Sequence, residues 1–327
     1  MSVRIAMAAR GALAVLAIAA LALRAGTTRS APATAPASTA PAPTAPGTAP
    51  PARHASLPAV SPDGRHIAFV SDRDDPAWEL YVVGADGRDT RRLTYTPEEE
   101  LVPDWSADGR QIRYVTFPAD TAAELHAIAL DADAGHLLEA PLATELKLSR
   151  RGDRIAYTAG NWTRNRLMVT NLDGSARRAL TDSSGRQFNL AWSPHDDRIA
   201  VTRRDSTGVV QVWVMNADGS SAQAITHFTA NDGRPQWPAW SPDGRRIAIQ
   251  SGTYNRAHPD SSDAHIWVVE LSSGRATQLA RHDRPWLDET PSWFPNGKRL
   301  AFQSTRSGRF EIWVMNADGS GERQLTR

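Results

Sequence analysis

From Leu57 onward the chain is a succession of short apolar runs separated by polar turn signals. The plainest run is Ile67-Ala68-Phe69, which returns as Ile112-Arg113-Tyr114, Ile155-Ala156-Tyr157, Ile199-Ala200-Val201, Ile247-Ala248-Ile249 and Leu300-Ala301-Phe302. Downstream of each stands a second run: Leu80-Tyr81-Val82, Leu125-His126-Ala127, Leu167-Met168-Val169, Val212-Trp213-Val214, Ile266-Trp267-Val268 and Ile312-Trp313-Val314. Runs this short, rich in β-branched and aromatic residues and closed by turn signals, predict strands. The segment before each first run predicts another strand and a tight turn, as in Leu57-Pro-Ala-Val-Ser-Pro-Asp-Gly64 and Trp237-Pro-Ala-Trp-Ser-Pro-Asp-Gly244. Proline there supplies a φ near −65°, the serine or aspartate a side-chain acceptor, and glycine a residue free to take positive φ. The turn residue recurs at Ser61, Ser106, Ser149, Ser193, Ser241 and Phe294, in steps of 45, 43, 44, 48 and 53 residues.

That spacing suits four strands, A to D, with Ala-Asp-Gly or Leu-Asp-Gly turning C into a short D strand such as Arg91-Arg92-Leu93-Thr94 or Arg323-Gln324-Leu325-Thr326. A four-stranded unit that is apolar on both faces must stack on neighbours, and radial closure leaves only short, protected edges. The expected fold class is all-β: a six-bladed β-propeller of four-stranded antiparallel blades over residues 57–327. The blades fall at about 57–100, 101–142, 143–187, 188–235, 236–288 and 289–327. Because the first copy opens with its own A strand and the last closes with its own D strand, repeats and blades are expected in phase, with the ring closed by packing.

The N-terminus reads differently. Arg4 and Arg10 precede the apolar run Gly11 to Leu23, which as a helix would span roughly 20 Å, short of a bilayer core. Residues 1–25 are expected to be a secretory signal peptide, or a signal anchor if uncleaved, and residues 26–56 a disordered Ala/Pro/Thr-rich linker. The net charge of +1 hides an asymmetry: the leader holds four arginines and no acid, leaving 33 basic against 36 acidic residues beyond it. That balance excludes a basic nucleic-acid footprint. The absence of cysteine excludes disulfide scaffolds, Cys-ligated zinc, thiol catalysis and a lipid-modified N-terminal cysteine.

The hairpins resemble the PD40, or TolB-like, propeller repeat, approximately Pro-x-Trp-Ser-Pro-Asp-Gly-x-x-Ile-Ala-Phe followed by Ile-Trp-Val-Met-Asn-Ala-Asp-Gly-Ser and Arg-x-Leu-Thr. The fourth to sixth copies match best, ending in Ile312-Trp-Val-Met-Asn-Ala-Asp-Gly-Ser320. The second and third copies are degenerate, with Leu130-Asp-Ala-Asp-Ala-Gly135 and Leu148-Ser-Arg-Arg-Gly-Asp153 in place of the usual turns. The resemblance implies an exported propeller that acts by protein contact, within a system joining inner membrane, peptidoglycan-associated lipoprotein and outer membrane. No counterpart of TolB's N-terminal α/β domain is recognisable.

In such blades the A–B and C–D turns share one face, and the longer B–C and D–A loops the other. Of eleven Trp, Trp105, Trp192, Trp240 and Trp293 fall in one A-strand column, and Trp213, Trp267 and Trp313 in one C-strand column; these are expected to pack the blades. Trp78, Trp162, Trp237 and Trp286 fall in the irregular loops, as aromatics of a binding face do. With Glu98, Glu99, Glu100, Asp232, Arg234, Arg284, Asp288 and Glu289 they form the expected partner-binding face, although ordinary solvated loop charge is the favoured account of the acids. His258, Asp260 and His265, joined by Asp263, His282 and Asp283, are candidate metal ligands on two loops that could meet. Their spacing, His-x-Asp-x-x-Asp-x-His, matches no metal motif, so no metal or other cofactor is expected.

No Gly-x-Ser-x-Gly elbow and no phosphate-binding glycine loop occurs. The leading expectation is a non-enzymatic scaffold, periplasmic or secreted, that binds a protein or peptide such as an envelope lipoprotein. It would be monomeric, would not bind nucleic acid, and would touch a membrane only through an uncleaved N-terminus. The alternatives are a metal-dependent propeller enzyme of the lyase or lactonase kind, or a membrane-tethered small-ligand sensor.

Overall fold

The computed structural model describes residues 54–327 except 75–76, 117–123, 133–134, 139–144, 162, 230–232, 254–261, 280–281 and 283. The expected signal peptide and nearly all of the expected linker lie outside the described residues. Within them the chain forms six four-stranded antiparallel sheets, each with its strands bonded in chain order. Repeats and blades are therefore in phase. The A strands neighbour one another from blade to blade: Ala55–Val60 touches Glu100–Trp105 on one side and Asp288–Trp293 on the other. They thus form the inner ring.

The A–B turn behaves as its chemistry requires. In the fifth blade, Ser241 Oγ donates to Asp243 Oδ1 at 2.5 Å, the same carboxylate accepts the Arg245 N–H at 3.1 Å, and Gly244 sits at φ +65°. The seams between blades reuse these hairpins. Each A-strand indole donates to a carbonyl on the preceding inner strand: Trp105 to Ala59 (2.9 Å), Trp192 to Lys147 (3.0 Å), Trp240 to Ala191 (3.2 Å) and Trp293 to Ala239 (3.1 Å). At three seams an arginine of the preceding hairpin covers that ring and bonds the next hairpin's backbone. Arg154 lies over Trp192, Arg198 over Trp240 and Arg246 over Trp293, at 4.6–4.8 Å from the ring centroids. The A-strand tryptophans pack the seams, as expected. In the third blade Leu148 occupies the column, and Arg113 crosses that seam instead, donating to Ser149 O at 3.2 Å while pairing with Asp104 at 2.8 Å.

One recurrent feature carries no sequence signal. The A–B register slips in five blades, and the slipped strand holds a left-handed residue: Leu57, Val102, Asn189, Trp237 and Thr290, at φ +50° to +55°. Such a φ is strained for β-branched and bulky residues. The strain is offset from outside the strand: the N–H of Leu57 reaches Gln303 Oε1 of the last blade at 2.9 Å, and that of Thr290 reaches Gln250 Oε1 at 2.8 Å.

The ring closes by packing, without a shared strand. Ile67, Phe69 and Tyr81 of the first blade share a core with Phe294, Ile312 and Val314 of the last. Ala55 N–H donates to Phe310 O at 2.8 Å, and His54 Nδ1 accepts the Phe310 N–H at 3.3 Å. That bond requires a neutral acceptor nitrogen. Burial holds the His54 imidazole below its ordinary value, against the raising influence of Asp72 and Glu311. The unfolded chain therefore binds this proton first, and the closure loses stability as pH falls below about 6.5. The urea midpoint is expected to fall between pH 7.5 and pH 5, and to fall less in His54→Asn, whose amide oxygen can accept the same N–H.

Candidate metal centre

The fifth blade departs from the repeat where its C strand begins. The residue opening the C-strand apolar run is Glu79, Glu124, Arg166, Gln211, His265 and Glu311 in successive copies. In the first, third, fourth and sixth blades a D-strand threonine seals this edge. Thr94, Thr181, Thr226 and Thr326 each accept the N–H of the next C-strand residue at 2.9 Å. Thr226 also donates to Gln211 at 2.6 Å and Thr326 to Glu311 at 2.5 Å. In the fifth copy the sequence has Ala280 at the threonine position, and among the described residues no hydroxyl bonds the column residue, which is His265.

His265 and Asp263 lie on the same side of the C strand Asp263–Glu270, by the period of two. His282 comes from the following D–A loop. That loop is tied to the strand where Ala264 donates to Trp286 O at 3.0 Å and pairs in parallel with Leu287. One ligand atom from each of Asp263, His265 and His282 lies within 4.8 Å of the others. The two imidazole centroids are 4.4 Å apart, and Trp286 stands 5.1 Å beyond His282. His282 Nδ1 faces Arg284 O at 2.6 Å, so as the donor it leaves the Nε2 lone pair free. His265 Nε2 pairs with Asp263 Oδ2 at 2.9 Å.

Three polar atoms remain without a hydrogen-bond partner although buried: Asp263 Oδ1, His265 Nδ1 and His282 Nε2. Asp288, 3.5 Å from His282 Nε2, is occupied by Ser304 Oγ at 2.6 Å and by Arg306 at 2.5 Å. Burial by itself lowers the His282 pKa, but the nearby carboxylate of Asp288, with the Arg284 carbonyl and Asp263, outweighs it and leaves a net rise. Two imidazoles and one carboxylate are a donor set that could hold a first-row divalent ion. His258, Asp260 and Asp283 lie outside the described residues.

The other candidate residues separate. Trp78 is 8% exposed, stacked on His54 at 6.2 Å, and presents no surface. Trp237 and Trp286 are half-buried, Arg234 and Arg284 exposed, and Trp162 and Asp232 lie outside the described residues. Solvated loop charge does not describe Glu100, Asp288 or Glu289. All three are buried at the start of inner strands, where Glu100 accepts from Thr94 (2.9 Å), Asp288 holds Arg306, and Glu289 accepts from Gln303 (2.8 Å).

Residues 139–257 match the family model described as PD40, TolB beta propeller domain. The fold is that of a TolB/PD40-like propeller. It is homologous to TolB at low identity over part of the chain. The Tol-Pal system protein TolB of Anaeromyxobacter dehalogenans is 32% identical over 164 residues, 49% of this chain and 35% of that protein. The match thus spans about a third of that relative's length. TolB from Acinetobacter baumannii superposes with a TM-score of 0.59 at 18% identity, over 84% of this chain and 67% of that one. An oligogalacturonate lyase in complex with manganese superposes with a TM-score of 0.54 at 15% identity, over 84% of this chain and 78% of that one. At these identities the two structures speak for the fold alone. The TolB-like architecture is thus common to a Tol-Pal protein and an enzyme. Among the described residues no helix is long and apolar enough to cross a membrane.

Proposed function

We propose that this TolB-like chain is a metal-dependent propeller enzyme of the lyase kind, acting on an acidic sugar or a comparable carboxylate at the loop face of its fifth blade. The observation that carries the reading is the set of three buried, unpartnered atoms on Asp263, His265 and His282. Leaving such atoms unpaired costs about 1–3 kcal/mol each, a cost that bound metal removes. A divalent ion there would supply Lewis acidity toward a substrate carboxylate. Asp263 and the two histidines would hold it, the Arg284 carbonyl would fix the tautomer of His282, and Trp286 would wall the site. The choice of reaction class rests on that donor set; an oligogalacturonate lyase in complex with manganese shows that the same architecture can carry such an enzyme. Equilibrium dialysis of the intact protein against Mn²⁺ and Zn²⁺ is expected to give one bound ion per chain. Oligogalacturonate would then show metal-dependent growth of the ultraviolet absorbance of an unsaturated product. Protein that retains no ion and shows no metal-dependent turnover overturns the proposal.

A second reading, a periplasmic scaffold for a protein or peptide partner exported by residues 1–25 and spaced by the linker 26–56, is favoured by the identity to TolB. Trp237, half-buried with an unpartnered indole N–H, supports it. Partner binding that persists in metal-stripped protein, with no turnover under any metal, would select this reading.

A further inference from the structure

A cavity of about 370 Å³ lies between the first and second blades and opens on the same face as the metal centre. Its walls are Tyr95, Tyr114, His126, Glu98, Glu100 and Glu124, with threonine hydroxyls between them. Among the described residues no arginine or lysine lines it. Strand register builds the row: Glu100 is opposite Thr116, and Thr116 is opposite Glu124. The two carboxylates therefore stand two strands apart, roughly 10 Å between backbones, with the hydroxyl of Thr116 between them. Tyr114 and His126 stack at 5.4 Å to give an aromatic wall. Beneath lies an imbalance of charge: Glu79 and Glu100 are both fully buried, while one guanidinium, that of Arg92, reaches Glu79 Oε1 at 2.5 Å. Glu79 Oε2 is buried with no hydrogen-bond partner.

We propose that this cavity binds a small organic cation, an alkylguanidinium or alkylammonium whose charged head lies between Glu100 and Glu124 and whose carbon body lies on the Tyr114–His126 wall. The surplus buried carboxylate supplies the charge, the aromatic wall and hydroxyls accept the body, and among the described residues no lining guanidinium or ammonium competes for the site. Burial, and then the neighbouring Glu79, raise the Glu100 carboxyl to about 8 against the hydroxyls of Thr94 and Thr96. At pH 7 the acid therefore keeps a proton that an arriving cation displaces. The other groups facing it are Arg92 of the first blade, Glu98, Glu124, His126, and Tyr114, which burial raises to about 12 and keeps neutral. Binding is expected to release close to one proton at pH 7 and to tighten about tenfold between pH 7 and pH 9.

Calorimetry of the full chain with n-butylguanidinium, in buffers of different ionisation enthalpy, reads both quantities; n-butanol and butyrate are the controls. A charged hydrogen bond contributes about 1.5–3 kcal/mol, so Glu100→Gln is expected to weaken binding at pH 9 by a factor of about 10 to 150 and to abolish proton release. Glu124→Gln, on a more exposed side chain, is expected to weaken binding several-fold with proton release intact. His282→Ala, at the metal centre, leaves both unchanged. Failure of butylguanidinium to bind at millimolar concentration overturns the proposal, as does equal binding by butanol or butyrate, or unaltered affinity in both glutamine variants.

Discussion

Trp240→Ala is expected to cost about 3–5 kcal/mol, the range for emptying a large aromatic site in a core. The indole is 8% exposed and packs with Val212, Val214, Ile225, Ile247, Ile249 and Val269 from both sides of the seam between the fourth and fifth blades. Three separate losses coincide there. The cavity forfeits the packing of those aliphatic side chains, Ala191 O loses its indole donor at 3.2 Å, and the Arg198 guanidinium loses the ring it covers at 4.6 Å. Trp240→Phe keeps most of the buried surface and a face for Arg198, but not the donor. It should therefore cost about 1–3 kcal/mol, the penalty for a buried carbonyl left unsatisfied. Urea denaturation followed by far-ultraviolet circular dichroism separates the two variants by their midpoints. A midpoint for Trp240→Ala within error of the parent would show that the indoles do not join the blades.

The reason the architecture is legible in the sequence is that its determinants are local. Ser241-Pro242-Asp243-Gly244 encodes its turn within four residues, because the hydroxyl, the carboxylate and the positive φ of Gly244 all act on the same short loop. Six such turns at regular spacing identify blades. The left-handed residues of the inner ring are illegible for the opposite reason. Nothing in Leu57 or Thr290 favours φ above zero, and what sustains it is an amide oxygen from another blade, Gln303 or Gln250.

Burial of the inner-strand acids is likewise a tertiary effect. Asp288 reads as loop charge until Arg306, 18 residues later, closes on it. Trp78 reads as a surface aromatic until His54, from the edge of the leader, stacks against it. The metal candidates lie between these cases. Their separation along the chain matches no motif, since His265 and His282 belong to different elements. Comparison of the copies does single one of them out: His265 breaks a column otherwise filled by Glu, Arg or Gln, while Ala280, like Glu139 of the second copy, stands where four copies have threonine.

His282→Ala is expected to weaken divalent metal binding by about 100-fold or more, since loss even of a group that only orients a ligand costs 10- to 100-fold. His282 is the most deeply buried member of the cluster, with 6% of its side chain exposed against 16% for His265 and 35% for Asp263. It is also the one that fixes geometry, because its Nδ1 is held by Arg284 O at 2.6 Å and its ring lies between His265 and Trp286. Removing it leaves one imidazole and one carboxylate, too few to exclude water from a first-row ion. Asp263→Asn is expected to act through charge, weakening binding while retaining the ligand's shape. Cobalt substitution reports both effects, because the visible absorption of Co²⁺ depends on coordination number. The parent should show one saturable site with a nitrogen-ligated spectrum, and His282→Ala only weak binding with a spectrum near that of the hydrated ion. Stability distinguishes a ligand from a packing residue: excess metal should raise the parent's thermal midpoint and leave that of His282→Ala unmoved. Equal cobalt affinity and an equal metal-induced shift in the two proteins would remove His282 from the site.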